Sequence, residues 1–111
     1  MKKSYLYLLS FLLTMSSHAS DVPSTKISEV LAGPHYNKNV ILTVSTKATE
    51  LPLCQTNPRY SYVFDGTTQE GKITLSIVLA AYAAQKDVWI RGKGTCSLYD
   101  GIEDLAHIVA K

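Results

Sequence analysis

The chain has little net charge and no long apolar segment. Only 18% of its 111 residues are charged, and its 11 basic residues nearly balance its 9 acidic ones. A nearly neutral chain has no electrostatic attraction for phosphate backbones or anionic lipid, which argues against nucleic-acid binding. Because no apolar run approaches the roughly 20 residues that cross a bilayer, no membrane span is predicted.

Catalytic and cofactor motifs are also lacking. No nucleophile elbow marks any serine, and the triad residue types are scattered, for example Ser61, His107 and Asp65. Glu103 and Asp104 are adjacent, so on a strand their carboxylates would point to opposite faces and could not act together on a glycoside. No catalytic residue, metal or cofactor is therefore predicted, and a small secreted hydrolase is the least favoured function.

Cysteine is scarce, since Cys54 and Cys96 are the only two. They lack the Cys-x-x-Cys spacing of a redox motif, and a metal site would need closer ligands than the distant His35 and His107. An even count in a small exported domain favours one disulfide over both alternatives. Such a bond would close a loop of about 40 residues and stabilise the fold by roughly 4 kcal/mol.

The amino-terminal segment Met1–Ala19 has the features of an export signal. Lys2 and Lys3 precede a short apolar run, and Ser17 and Ala19 are small residues at the two positions that a signal peptidase recognises. The expected product is a single secreted or periplasmic domain, 20–111. Loss of the two lysines reduces the 11 basic residues to nine, equal to the 9 acidic ones. Such a neutral chain is prone to association.

Local patterns predict strands in four places. Residues 26–45 are β-prone on both sides of a turn at Gly33–Asn39, and Arg59–Phe64 alternates between two faces. Asp87–Ile90 is also expected to be a strand. Ile102–Ala110 fits either a closing strand or a short helix.

One helix is predicted between the strands. Lys72–Gln85 begins with strand-like alternation, but its alanine content favours a helix. Its two apolar faces would need cover from a sheet or a neighbouring subunit. Ser20–Thr25 is expected to be a flexible leader and 47–58 a loop. The fold class is therefore mainly β with one helix (α+β), in the form of a small, partly open, OB-fold-like barrel with strands, helix, then strands.

Trp89 and Arg91 are the first candidate binding residues. They should share one face of their strand, opposite Val88 and Ile90. A ring for stacking beside a hydrogen-bonding guanidinium would suit a sugar or a partner protein. The alternative is a tryptophan packed under a loop with a solvated arginine beside it.

Three tyrosines are further candidates. Tyr60, Tyr62 and Phe64 should form a row on one strand face, although such rows pack in cores more often than they bind ligands. Tyr36 lies in a polar turn, where it could reach a ligand or simply be solvated.

Several short segments resemble parts of one group of small exported bacterial proteins. The segments are Leu79–Lys86, Val88–Cys96, Glu103, Ile27–Val30 and Pro52–Cys54. In them the chain resembles proteins related to the B subunit of subtilase cytotoxin.

The resemblance implies an OB-fold-like domain, a Cys54–Cys96 bridge, a final strand at Ile102–Ala110 and a ring of subunits packed through the helix. It carries over no ligand-contacting residue. The toxin subunits bind cell-surface glycans, so the leading expectation is an exported, non-catalytic module that recognises a glycan or another exported protein. The alternative is a docking or inhibitory module for a single protein.

Overall fold

The computed structural model describes residues 18–111, which form one mixed β-sheet and a single α-helix. The elements in chain order are β1 (Asp21–Thr25), β2 (Ile27–Leu31), β3 (Asn39–Val44), β4 (Tyr62–Asp65), α1 (Gln69–Ala84), β5 (Val88–Gly92) and β6 (Glu103–Ala110). The predicted mainly β fold with one helix is confirmed. Of the predicted export signal, only His18 and Ala19 lie within the described residues.

The six strands form one mixed sheet. Its strand order is β1-β5-β6-β4-β3-β2, with β4 and β6 parallel and the other pairs antiparallel. β1 and β2 lie at opposite ends of this order, yet only Lys26 separates them in the chain. The six-stranded sheet is not closed, which agrees with the predicted small α+β fold.

The prediction of a flexible leader at Ser20–Thr25 was wrong. This segment contains β1, which pairs with β5, and its Val22 is buried in the core. Pro23 had argued against a strand, but it lies where the register shifts between Val22 and Thr25. Proline is tolerated at such irregularities of an edge strand.

The helix α1 begins and ends with capping residues. Thr68 Oγ1 accepts a hydrogen bond from Gly71 N at 2.9 Å, and Gln85 ends the helix in the left-handed region at φ 49°. Val78 and Ala81 pack into the main core, on one side of the sheet. Each of the two apolar faces predicted for this helix is only partly covered within residues 18–111, since Ile73 of one is 59% exposed and Leu79 of the other is 48% exposed.

The predicted disulfide between Cys54 and Cys96 is confirmed. The two Cα atoms lie 5.9 Å apart and are separated by 42 residues in sequence. The bond joins the loop before β4 to the loop between β5 and β6. The ambiguous segment at Ile102–Ala110 is a strand, β6, which pairs with both β4 and β5. Within residues 18–111, no helix combines the length and apolar character that a bilayer span needs.

Candidate binding surface

The face of the sheet that points away from α1 carries the first candidate surface, which we call the Trp89 face. It consists of Asp21 on β1, Trp89 and Arg91 on β5, and His107 on β6. Arg91 lies opposite Asp21 on one neighbouring strand and opposite His107 on the other. The register thus places all four side chains side by side.

Alternation along β5 creates this surface. Val88 and Ile90 are fully buried in the core, whereas Trp89 is half-buried and Arg91 exposed. The predicted sharing of one face by Trp89 and Arg91 is therefore confirmed. The burial pattern follows from the period of two in a strand.

Trp89 is held by its two neighbouring strands. Its indole Nε1 donates a hydrogen bond to Asp21 Oδ1 at 2.6 Å. Its ring meets the His107 ring edge to face, with centroids 4.5 Å apart. A ring fixed in this way loses little conformational entropy when a ligand packs against it.

The other groups of the Trp89 face keep unused hydrogen-bonding capacity. Within residues 18–111, the Arg91 guanidinium makes no hydrogen bond or ion pair. His107 Nε2 is buried and likewise has no hydrogen-bond partner in the described part of the chain. The face therefore offers five guanidinium donors beside an aromatic ring. The negative charge of Asp21 and the positive charge of Arg91 give this face a formal net charge of zero.

Tyr62 does not line a surface. It is 2% exposed, and its hydroxyl lies 2.6 Å from Ser20 Oγ in the core. Burial is the main reason why the pKa of Tyr62 is raised to about 12. This candidate residue serves the packing of the domain and is not accessible to a ligand.

Tyr60 and Tyr36 form a second aromatic surface, which we call the tyrosine cluster, together with Tyr99. The three rings pack over the buried side chains of Ile41, Val63 and Ile102. The centroids of Tyr36 and Tyr99 are 6.1 Å apart. Sequence periodicity missed Tyr99 because it lies in a loop.

The predicted row of aromatic side chains does not form. Tyr62 and Phe64 face the main core, whereas Tyr60 packs with the opposite cluster. The reason is that β4 begins only at Tyr62, so strict alternation does not extend back to Tyr60. Gln55 holds this preceding segment, because its side-chain amide donates to Tyr60 O at 2.9 Å.

Two cavities lie away from the Trp89 face. One of about 100 Å³ lies beside the tyrosine cluster and is lined by Leu51, Pro58 and Tyr60, among others. The other, of about 500 Å³, opens between the start of α1 and β6. Of the three carboxylates in its lining, Asp65 accepts from Thr67 and Asp104 accepts from Ser97. Glu70 and Lys93 also line this cavity without side-chain partners among residues 18–111, but no tryptophan lines it, in contrast to the Trp89 face.

Asp104 organises the loop that carries Cys96. Its carboxylate accepts hydrogen bonds from Thr95 Oγ1 at 2.7 Å, from Ser97 Oγ at 2.6 Å and from Leu98 N at 3.1 Å. Burial opposes ionisation, but these hydrogen bonds outweigh it and lower the pKa of Asp104 below its usual range. The adjacent Glu103 points instead into the core, toward Ser20, so the predicted divergence of the two carboxylates is confirmed.

The serine, aspartate and histidine side chains considered for a hydrolase triad contact different partners. Ser61 Oγ accepts from Val44 N, Asp65 accepts from Thr67, and His107 packs on Trp89. Among residues 18–111, no three His, Cys, Asp or Glu side chains are grouped closely enough to hold a metal ion.

Comparisons with known proteins do not assign a family to this geometry. No protein-family model matches the chain, and neither a curated protein nor a solved structure matches it. The resemblance to the B subunit of subtilase cytotoxin therefore stays a prediction from sequence segments. The candidate surfaces rest on the contacts described above.

Proposed function

We propose that this protein is an exported, non-catalytic module that binds a glycan through the Trp89 face. One observation carries the proposal. Trp89 is fixed by Asp21 and His107, while the neighbouring Arg91 is exposed and has all its donors free within the described residues.

A glycan suits the chemistry of this face. A sugar ring presents an apolar C–H surface that packs on an indole, and hydroxyl groups that accept hydrogen bonds from a guanidinium and donate them to a carboxylate. The charges of Asp21 and Arg91 balance, so a strongly anionic polymer has no electrostatic advantage there. Faces of OB folds are used for oligosaccharides, which agrees with the expected fold.

Export is part of the proposal. The Met1–Ala19 segment has the pattern of a secretory signal. The Cys54–Cys96 disulfide is compatible with an oxidising compartment outside the cytoplasm. A surface glycan or a free oligosaccharide would be met in that compartment.

A glycan array tests the proposal. The oxidised chain 20–111 should bind a defined subset of glycans, and Trp89→Ala should reduce the affinity at least about 10-fold through lost stacking. Arg91→Ala should also weaken binding. The matched control is Tyr82→Ala, which removes an exposed aromatic ring from α1 and should leave binding unchanged.

Two results would contradict the glycan assignment. One is an array without any bound glycan for the correctly oxidised protein. The other is binding that Trp89→Ala leaves intact while circular dichroism shows both chains to be folded.

Docking of a protein on α1 is the second candidate function. Ile73, Leu79 and Tyr82 are 59%, 48% and 38% exposed, which leaves an apolar helix face without cover in the described chain. We propose a second copy of this chain as the occupant, because the formal neutrality of 20–111 removes the repulsion between copies.

Light scattering distinguishes the second candidate. The oxidised chain should give a mass above that of a monomer, and Leu79→Lys should restore the monomer. Thr49→Lys adds the same charge at an exposed position of the loop before β4, away from α1, and as the control it should leave the mass unchanged. A monomeric wild-type chain at high concentration would rule out self-association through α1.

A further inference from the structure

Ser20 is the first buried residue of the domain, and its backbone nitrogen points at a buried carboxylate. Ser20 N lies 3.1 Å from Glu103 Oε2, and Ser20 Oγ donates to Glu103 Oε1 at 2.6 Å. Ser20 is 1% exposed and Glu103 is completely buried. The hydroxyl of Tyr62 closes the cluster at 2.6 Å from Ser20 Oγ.

The chain passes from exposed to buried at the peptide bond before Ser20. His18 and Ala19 are exposed, whereas β1 begins directly after Ser20. Gly92 N donates to Ser20 O at 3.0 Å, which fixes Ser20 at the end of the sheet. The Ala19–Ser20 bond therefore separates the exposed His18 and Ala19 from the folded domain.

Within residues 18–111, Glu103 has no cationic partner while Ser20 N is part of a peptide bond. The donors to its carboxylate are Ser20 N, Ser20 Oγ and Gly94 N, the last at 2.8 Å. All three are neutral. A buried carboxylate without an opposite charge is costly, and an ion pair with good hydrogen bonds reduces that cost.

We propose that hydrolysis of the Ala19–Ser20 bond creates an α-ammonium group on Ser20 that forms a buried ion pair with Glu103. A signal peptidase would add water across the bond, so that Ala19 leaves with a new carboxylate and Ser20 receives the amino group. That amine takes up a proton from solvent, as α-amino groups do near neutral pH. Processing then supplies a positive charge beside the Glu103 carboxylate.

This inference rests on the export included in the proposed function, but it is independent of any ligand. It gives the cleavage a structural consequence beyond release from the membrane. A chain that keeps Ala19 would place its terminal charge in solvent and leave Glu103 with neutral donors only.

Chains with defined first residues test the ion pair. Fusion proteins cleaved without residual residues give one chain starting at Ser20 and one starting at Ala19, both refolded and oxidised. The Ser20 chain should melt about 4–8 °C higher, the shift that a charge-assisted bond of ordinary strength gives in a domain of this size. Glu103→Gln should abolish the difference between the two chains.

The control is Glu29→Gln, which removes a carboxylate paired with Arg59 at the surface and should preserve the difference. Equal melting temperatures, or a difference that persists in Glu103→Gln, would overturn the proposal.

If Glu103→Gln does not fold, acylation of the α-amine tests the ion pair instead of the variant. The amine of the folded Ser20 chain should resist the reagent until the protein unfolds, while that of the Ala19 chain should react at once. Equal reactivity of the two amines would contradict the proposal.

The cleavage position has its own measurement. Mass spectrometry of protein exported from the full-length gene should find Ser20 as the first residue. A different first residue, or an uncleaved chain, would overturn the inference. Failure of the glycan array would leave all these results unaffected, so the two proposals fail separately.

Discussion

At the scale of single residues, the buried carboxylate of Asp104 stabilises the loop between β5 and β6. Asp104 collects hydrogen bonds from Thr95, Ser97 and Leu98, which fixes the loop between β5 and β6. Because Cys96 lies within that loop, the same bonds position one half of the disulfide. The role of Asp104 is thus structural.

Asp104→Asn should destabilise the domain by about 2 kcal/mol, because an amide nitrogen would face donors that now share a carboxylate. The loss would be measured as a lower midpoint of urea denaturation. Asp87→Asn is the control, since Asp87 pairs with Lys26 at the exposed surface and should change the midpoint little. Equal losses in the two variants would contradict this role of Asp104.

The pH dependence of stability should also depend on Asp104. Its pKa in the folded chain lies below the ordinary value of 3.8, so its contribution is present above that value and is lost as the pH falls through the lowered pKa. Between about pH 5 and about pH 2, the wild-type midpoint should therefore fall more steeply than that of Asp104→Asn. Parallel curves would show that Asp104 contributes nothing to acid unfolding.

Residue-level prediction from sequence succeeded where alternation applies throughout an element. Trp89 and Arg91 share a face because β5 is regular from Val88 to Gly92. Tyr60 could not be placed in this way, since it precedes β4 and is held by Gln55 from a loop. The partnership of Ser20 with Glu103 spans 83 residues and leaves no local pattern.

At the scale of elements, β5 ends where it passes the buried Glu103. Gly92 has no side chain there, and a Cβ on this residue would overlap the Glu103 carboxylate. The close approach brings the end of β5 onto the Ser20–Glu103 cluster.

Gly92→Ala should therefore lower the free energy of unfolding by more than about 2 kcal/mol, as overpacking of a tight core site does. Gly33→Ala is the control, because an added Cβ there meets nothing within 4 Å. Thermal denaturation of the two variants measures the contrast. A Gly92→Ala chain as stable as the control would contradict the close packing around Glu103.

The elements themselves were largely predictable. Alanine content identified α1, and β-branched residues identified β3. β1 was missed because Pro23 and neighbouring polar residues are typical of a loop, while the pairing with β5 that stabilises it comes from the far end of the chain. The apolar pattern did not tell which residues of α1 are buried, because that depends on contacts with the sheet.

At the scale of the whole molecule, the Cys54–Cys96 bond links the two loops that lead into the parallel strands β4 and β6. It spans 42 residues in a domain that has one small main core. Small domains bury a modest fraction of their surface, so a covalent link contributes a large share of their stability.

Replacement of both cysteines by serine should cost roughly 4 kcal/mol of stability, mainly because the unfolded chain regains its freedom. Urea denaturation would show the loss as a lower midpoint. Addition of a reductant should lower the wild-type midpoint equally and leave the double variant unchanged. A wild-type midpoint that reductant does not affect would contradict a stabilising disulfide.

The central claim is that the Trp89 face binds a glycan, and the indole N–H of Trp89 reports on it most directly. Trp89 is the only tryptophan, so the ¹⁵N-labelled chain 20–111 gives a single indole resonance. Titration with an array-positive glycan should shift this resonance in a saturable manner, together with the amides of Arg91 and His107. Binding that moves other resonances and leaves the Trp89 indole signal in place would contradict the account.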